Sequence, residues 1–162
     1  MKDEFDEIVR IEEEIRRREK EDYTDKALEE AYNPKNVGRI ENADCFGRVT
    51  GSCGDTMEIY MRVIDGVIED CKFMTDGCGA TIACGSVLTE MLKGKTLEEA
   101  ARIKAEDILS VLGGLPPENL HCPVLAVSTL NAALENFRKQ RDFRKQREAE
   151  SERDLRSEQE GM

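Results

Sequence analysis

The spacing of hydrophobic residues changes character along the chain. In residues 1–23, Phe5, Ile8, Val9, Ile11 and Ile15 recur at helical spacing among charges, which predicts an amphipathic helix with a thin apolar stripe. Such a helix is either fully solvated or an arm that docks on a partner or a second subunit. Thr24 or Asp25 can cap a short helix through Ala31, and Pro34 and Gly38 in "YNPKNVG" end it. The period then drops to two. Met57, Ile59, Met61 and Val63 alternate with more polar neighbours, as a half-buried strand requires. Asp65-Gly66 is a hairpin signal, and "VIEDCKFMT" returns with Val67, Cys71 and Phe73 on one side. "GRVTGS" supplies a third strand, and the three form an antiparallel meander.

After Gly79 the period returns to about 3.6. Ala80, Cys84, Val87, Leu88 and Met91 mark a helix that stops at "KGK". Thr96 and Glu99 have capping-box spacing at the start of "TLEEAARI". "AEDILSVLGG" is a further short helix closed by glycines, and "LPPENL" is a rigid connector. The last core helix begins near Pro123, with Val124, Val127, Leu130 or Asn131, Leu134 and Phe137 on one face. From Arg138 onward apolar residues almost vanish, and this helix is expected to run on and fray. Strands first and helices later predict an α+β fold: a small three-stranded antiparallel sheet with helices packed on one face, plus charged helical extensions at both ends. The expected divisions are an N-terminal extension at 1–23, one domain at 24–140 and a C-terminal tail at 141–162.

The formal net charge of −11 argues against nucleic acid or an anionic membrane as partner. No apolar run approaches the ~20 residues of a membrane span. The opening "MKDEFDEIVRIEEE" lacks the apolar segment of a signal peptide, so a cytoplasmic location is expected. There the six cysteines default to free thiols or metal ligands.

The cysteines differ in their surroundings. Cys71 is in phase with a strand's apolar face and Cys84 with a helix's, so both read as small core hydrophobes. Cys45, in "NADCFG", reads as a loop residue with no polar constellation. Cys53 in "GSCGD" and Cys78 in "DGCGA" are flanked by glycines at turns, which lets backbone N–H groups approach whatever the sulfur binds. Cys122, in "HCP", suits a helix N-cap with Pro123 at the first helical position. Helix N-termini favour thiolate at Cys78 and Cys122. Asp55, two residues after Cys53 in an extended segment, can point the same way as that sulfur. His121, the only histidine, precedes Cys122. The candidate ligands are therefore Cys53, Asp55, Cys78, His121 and Cys122. No C-x₂₋₄-C knuckle joins them, so only the fold can gather them. Soft sulfur suits an iron–sulfur cluster or zinc, and the hard carboxylate suggests a site built to release its cluster.

"YNPKNVG", "GSCGD", "DGCGATIA", "EMLKGKTLEEA" and "LPPENLHCPVLA" together resemble the IscU/NifU-type iron–sulfur cluster assembly scaffolds, over about residues 24–140. The resemblance implies a non-enzymatic scaffold. A cysteine desulfurase supplies sulfur as a persulfide, with Cys122 as the first acceptor. Iron joins it, and an electron donor such as ferredoxin supplies electrons. A [2Fe–2S] cluster then forms on Cys53, Cys78 and Cys122 before passing to apoprotein recipients. Asp55 matches the residue that keeps the cluster labile and binds the first metal, and His121 an alternative or supporting ligand. The fourth ligand stays open between these two and an outside group. So does the choice between a monomer and a cluster-bridged homodimer. The apo form is also expected to accept zinc.

The family's chaperone-recognition segment typically reads Leu-Pro-Pro-Val-Lys. Here Glu118-Asn119 follows Leu115-Pro116-Pro117, which argues against delivery by the dedicated ATP-driven chaperone. A zinc-dependent sulfur acceptor working with a desulfurase is the alternative function. That branch usually carries an insertion between its second and third cysteines and lacks the histidine. His121 and the fully helical reading between Cys78 and Cys122 favour the scaffold.

Overall fold

The alternation read in residues 56–75 folds as a hairpin. In the computed structural model, which describes residues 2–161, β2 (Thr56–Ile64) pairs antiparallel with β3 (Val67–Thr75). Asp65 and Gly66 both have positive φ (51° and 76°), the geometry that matches a tight turn to the twist of its strands. β1 (Cys45–Thr50) pairs with the other edge of β2, giving the order β1-β2-β3. The antiparallel meander expected from sequence is present.

It departs from the sequence reading in two places. Arg62 faces Asp70 and Val63 faces Ile68, so Glu69 has no partner and forms a bulge. The extra residue turns Ile68 into the core and leaves Val67 37% exposed, although Val67 had the expected phase. Cys45 is not a loop residue. It opens β1 opposite Met61 and is fully buried.

Helices cover one face of the sheet. α3 (Gly79–Leu92) lies against β3, and α6 (His121–Glu160) lies against β1 and β2. α6 comes very close to β1: a Cβ on Gly47 would stand 2.5 Å from both Ala133 N and Thr129 O. The buried side of α6 is therefore built around small residues, Ala126, Thr129 and Ala133, with Leu125 and Leu130. The expected face was rotated from this one. Val124 is 54% exposed, and Val127, Leu134 and Phe137 sit at the margin, half-buried. α6 also remains helical to Glu160 where fraying was expected.

Shorter pieces anchor these helices. Thr24 caps α2 (Asp25–Tyr32) by accepting from Ala27 N at 3.0 Å, and its hydroxyl donates to Leu112 O at the end of α5 (Ala105–Leu112). The expected capping box at Thr96 and Glu99 opens α4 (Leu97–Ala100). Glu30, only 2% exposed, accepts from Ser86 on α3, from Lys26 at 2.9 Å and from Lys35 at 3.1 Å. Burial raises this carboxyl's pKa, but the three donors outweigh it and hold the value below the ordinary one. The "YNPKNVG" segment finishes the sheet. Asn36 O accepts from Phe73 N, and Gly38 N donates to Phe73 O, each at 2.9 Å, which covers the free edge of β3.

α1 (Lys2–Asp22) is helical and buries none of its residues, as a charged extension should. Among the described residues, no helix is long and apolar enough to cross a membrane.

Candidate metal centre

The turns that carry the candidate residues meet at one end of the sheet. The β1–β2 turn is closed by Gly51 N donating to Asp55 O at 2.8 Å and Gly54 N to Gly51 O at 3.0 Å. It is pinned to the β3–α3 turn by Thr56 N donating to Asp76 Oδ1 at 2.7 Å and Thr75 Oγ1 to Thr56 O at 2.7 Å. The first turn of α6 closes the same end, with Leu125 within 3.4 Å of where a Gly51 Cβ would stand.

Cys78 is the N-cap of α3, as the sequence predicts, and is exposed. Partial burial raises its pKa, but the backbone amides of Thr81 and Ala80 and the Thr81 hydroxyl outweigh this. The thiol lies below its ordinary value.

Cys122 departs from expectation. A 3₁₀ turn (Pro117–Asn119) runs through Leu120 straight into α6, which starts at His121. Cys122 is therefore inside the first helical turn, not at the N-cap, and it is fully buried. Burial pushes its thiol up to about 11. Thr81 opposes this, and the nearby charges of Cys78 and Asp55 add to it. The helix start does not prime this thiol as it primes Cys78.

The two sulfurs share a neighbour. Thr81 Oγ1 donates to Cys122 Sγ at 3.4 Å and stands 3.7 Å from Cys78 Sγ. His121 Nε2 lies 3.7 Å from Cys122 Sγ. Asp55 is half-buried and close enough for its charge to act on Cys122. Cys53 stands exposed on its turn, and among the described residues no hydrogen bond links its sulfur to the others. Among the described residues, no three His, Cys, Asp or Glu side chains already converge on one ion-binding point. The fold thus brings Cys78 and Cys122 to one hydroxyl, with His121 beside Cys122 and Asp55 near enough for its charge to reach that sulfur, and leaves Cys53 exposed on its turn. Such a donor set, thiolate-rich with one imidazole and one carboxylate, fits a thiophilic metal.

Cys71 and Cys84 are buried, and burial raises both thiols far above their ordinary value. Cys45 behaves likewise, pushed up to about 12. All three lie in the core, and Cys84 is close enough to Cys122 and Cys78 for their charges to act on it.

Sequence reading passed over two participants. Thr81 lies three residues after Cys78, a spacing that puts both on one helix face, and this signal could have found it. Tyr23 could not be found that way, because its hydroxyl accepts from Asn119 Nδ2, distant in sequence. That bond ties the connector before α6 to the α1–α2 junction. Beside it, Glu19, Tyr23, Ala31 and Tyr32 border a cleft of about 480 Å³ that reaches Cys78.

A three-stranded meander under a helical layer, with glycine-flanked and helix-start cysteines gathered at one end, defines a small class of thiol-bearing α+β domains. Residues 22–144 match the NifU-like N-terminal domain, and the chain belongs to that family. Over 119 residues it is 50% identical to the iron–sulfur cluster assembly scaffold protein IscU 1 of Archaeoglobus fulgidus, covering 72% of this chain and 78% of that one. Over 125 residues it is 42% identical to the iron–sulfur cluster assembly scaffold protein IscU of Escherichia coli, covering 74% of this chain and 97% of that protein. The crystal structure of a NifU-like N-terminal protein from Brucella abortus superposes with a TM-score of 0.58 at 20% identity, over 72% of this chain and 94% of that one. At that identity the likeness is one of fold.

Proposed function

We propose that this protein is a scaffold, not an enzyme, on which a [2Fe–2S] cluster is assembled as cargo and then handed to apoproteins. The observation that carries the reading is the meeting of Cys78 and Cys122, from the starts of separate helices, at one hydroxyl with His121 alongside. The scaffold domain is residues 24–140, with 1–23 and 141–162 as charged extensions. Cys53, Cys78 and Cys122 are the sulfur ligands, and Asp55 or His121 completes the set. Because Cys53 is exposed on a short turn, that turn has to close over the pair when iron arrives.

The cysteine desulfurase presents a persulfide. A thiolate of the scaffold attacks the outer sulfur, the S–S bond breaks, and the donor cysteine leaves as thiolate. The family resemblance assigns this role to Cys122. In this structure Cys122 is buried and Cys78 is the accessible thiol with the lowered pKa, so Cys122 accepts sulfur only after the segment around His121 opens. An electron donor such as ferredoxin then reduces the persulfide sulfur to sulfide. Asp55, a hard oxygen donor among thiolates, weakens the hold on the finished cluster. The cytoplasm, with its reduced thiols, suits these steps.

The same thiolates bind zinc, so zinc in a purified sample does not decide between scaffold and zinc-dependent sulfur acceptor. Transfer does. Anaerobic reconstitution with iron, a sulfur donor and reductant should give sulfur-to-iron charge-transfer absorption that moves to an added apo-ferredoxin. Asp55→Ala should slow that transfer severalfold. A colourless protein with stoichiometric zinc that stimulates desulfurase turnover would instead establish the acceptor.

A further inference from the structure

Buried threonines in helices commonly return their hydroxyl proton to the carbonyl one turn back. Thr89 does so to Gly85 O at 2.8 Å, and Thr129 to Leu125 O at 2.7 Å. Thr81 is as deeply buried as either, yet it makes no such bond, and its hydroxyl turns to the sulfurs of Cys122 and Cys78. A hydroxyl has one proton to give. It gives that proton to Cys122, and its oxygen also stands 3.7 Å from Cys78, so one side chain links the two sulfurs. The side chain is held in this pose by close packing. A Cβ added at Gly77 would stand 2.7–2.8 Å from Thr81 Cβ, Cγ2 and Oγ1, so glycine there leaves just the room that Thr81 fills.

We propose that Thr81 is a positioning residue for the Cys78–Cys122 pair, setting the two sulfurs for metal capture and remaining as a donor to thiolate once metal is bound. The proposal rests on the reading of these cysteines as metal ligands. Its physical basis is the cost of a buried charge. Cys122 must be a thiolate to bind metal, it is fully buried, and the Thr81 hydroxyl is a neutral donor brought to it by another helix. Donors of this kind behind a ligand typically account for about 10- to 100-fold in metal affinity.

Cobalt(II), titrated anaerobically into the full chain, is the probe, read by thiolate-to-cobalt charge-transfer absorption. Thr81→Val keeps the shape and removes the hydroxyl, and it should weaken cobalt binding about 10- to 100-fold and shift the band. Thr81→Ala should do the same, which keeps the test intact if the valine variant folds poorly. Thr81→Ser restores the hydroxyl and should stay close to wild type. Wild-type affinity in the valine and alanine variants would overturn the proposal, and so would equal losses in all three, which would mark a packing effect. A wild-type protein with no thiolate–cobalt band would overturn the metal-site reading itself, and the proposal with it.

Discussion

Cys78 and Cys122 end within 3.7 and 3.4 Å of one hydroxyl, but their thiols differ in chemistry. Nucleophilic attack needs thiolate. With the Cys78 pKa lowered and that of Cys122 near 11, iodoacetamide at neutral pH should modify Cys78 well ahead of Cys122 in the native metal-free protein. Cys122, buried like Cys45, Cys71 and Cys84, should label only as the structure opens. Peptide mapping by mass spectrometry reads the order, and faster labelling of Cys122 at neutral pH would contradict it. The helix start at Cys78 was legible in the sequence, and the apolar phases of Cys71 and Cys84 marked them as core. Cys45 was misplaced because the strand starts two residues before the glycine that seemed to open it. The ionisation of Cys122 was illegible, since it depends on how deeply tertiary packing buries a helix start.

At the level of elements, the approach of α6 to β1 holds the third turn of the site in place. Gly47→Ala would drive a methyl into the α6 backbone at Thr129 and Ala133, which cannot yield as a flexible side chain can. Overpacking of this kind costs about 1–3 kcal/mol, and the upper end is expected here. Urea unfolding with an unchanged slope would read the loss, and an unaltered midpoint would refute the contact. The same contact explains why the buried face of α6 was misread. Hydrophobic periodicity gives weight to Val124 and Leu134, but the closest packing falls on Ala126, Thr129 and Ala133, whose virtue is small size. The hairpin and its turn were readable because alternation and Asp65-Gly66 are local signals. The bulge at Glu69 was not, since nothing in "VIEDCKF" shows which residue lacks a partner until the strands are paired.

For the whole molecule, the site is a property of the fold and not of any single motif. The β1–β2 turn, the β3–α3 turn and the start of α6 are distant in sequence and become neighbours only when the sheet and helical layer assemble. Cys78 and Cys122 then share the Thr81 hydroxyl, with His121 beside Cys122, and Cys53 stands on an exposed turn. The charged ends add little to that assembly: α1 buries none of its residues and touches the domain near its end, where Tyr32 donates to Glu19, and α6 beyond residue 138 is almost wholly exposed. The central claim, that folding gathers these sulfurs to hold a cluster, is tested most directly by anaerobic reconstitution of six single variants, each replacing one cysteine by alanine. Visible charge-transfer absorption should be lost or strongly reduced for Cys53, Cys78 and Cys122, and kept for Cys45, Cys71 and Cys84. A folded Cys53→Ala protein with the full wild-type spectrum, or a folded Cys84→Ala protein with none, would contradict the account.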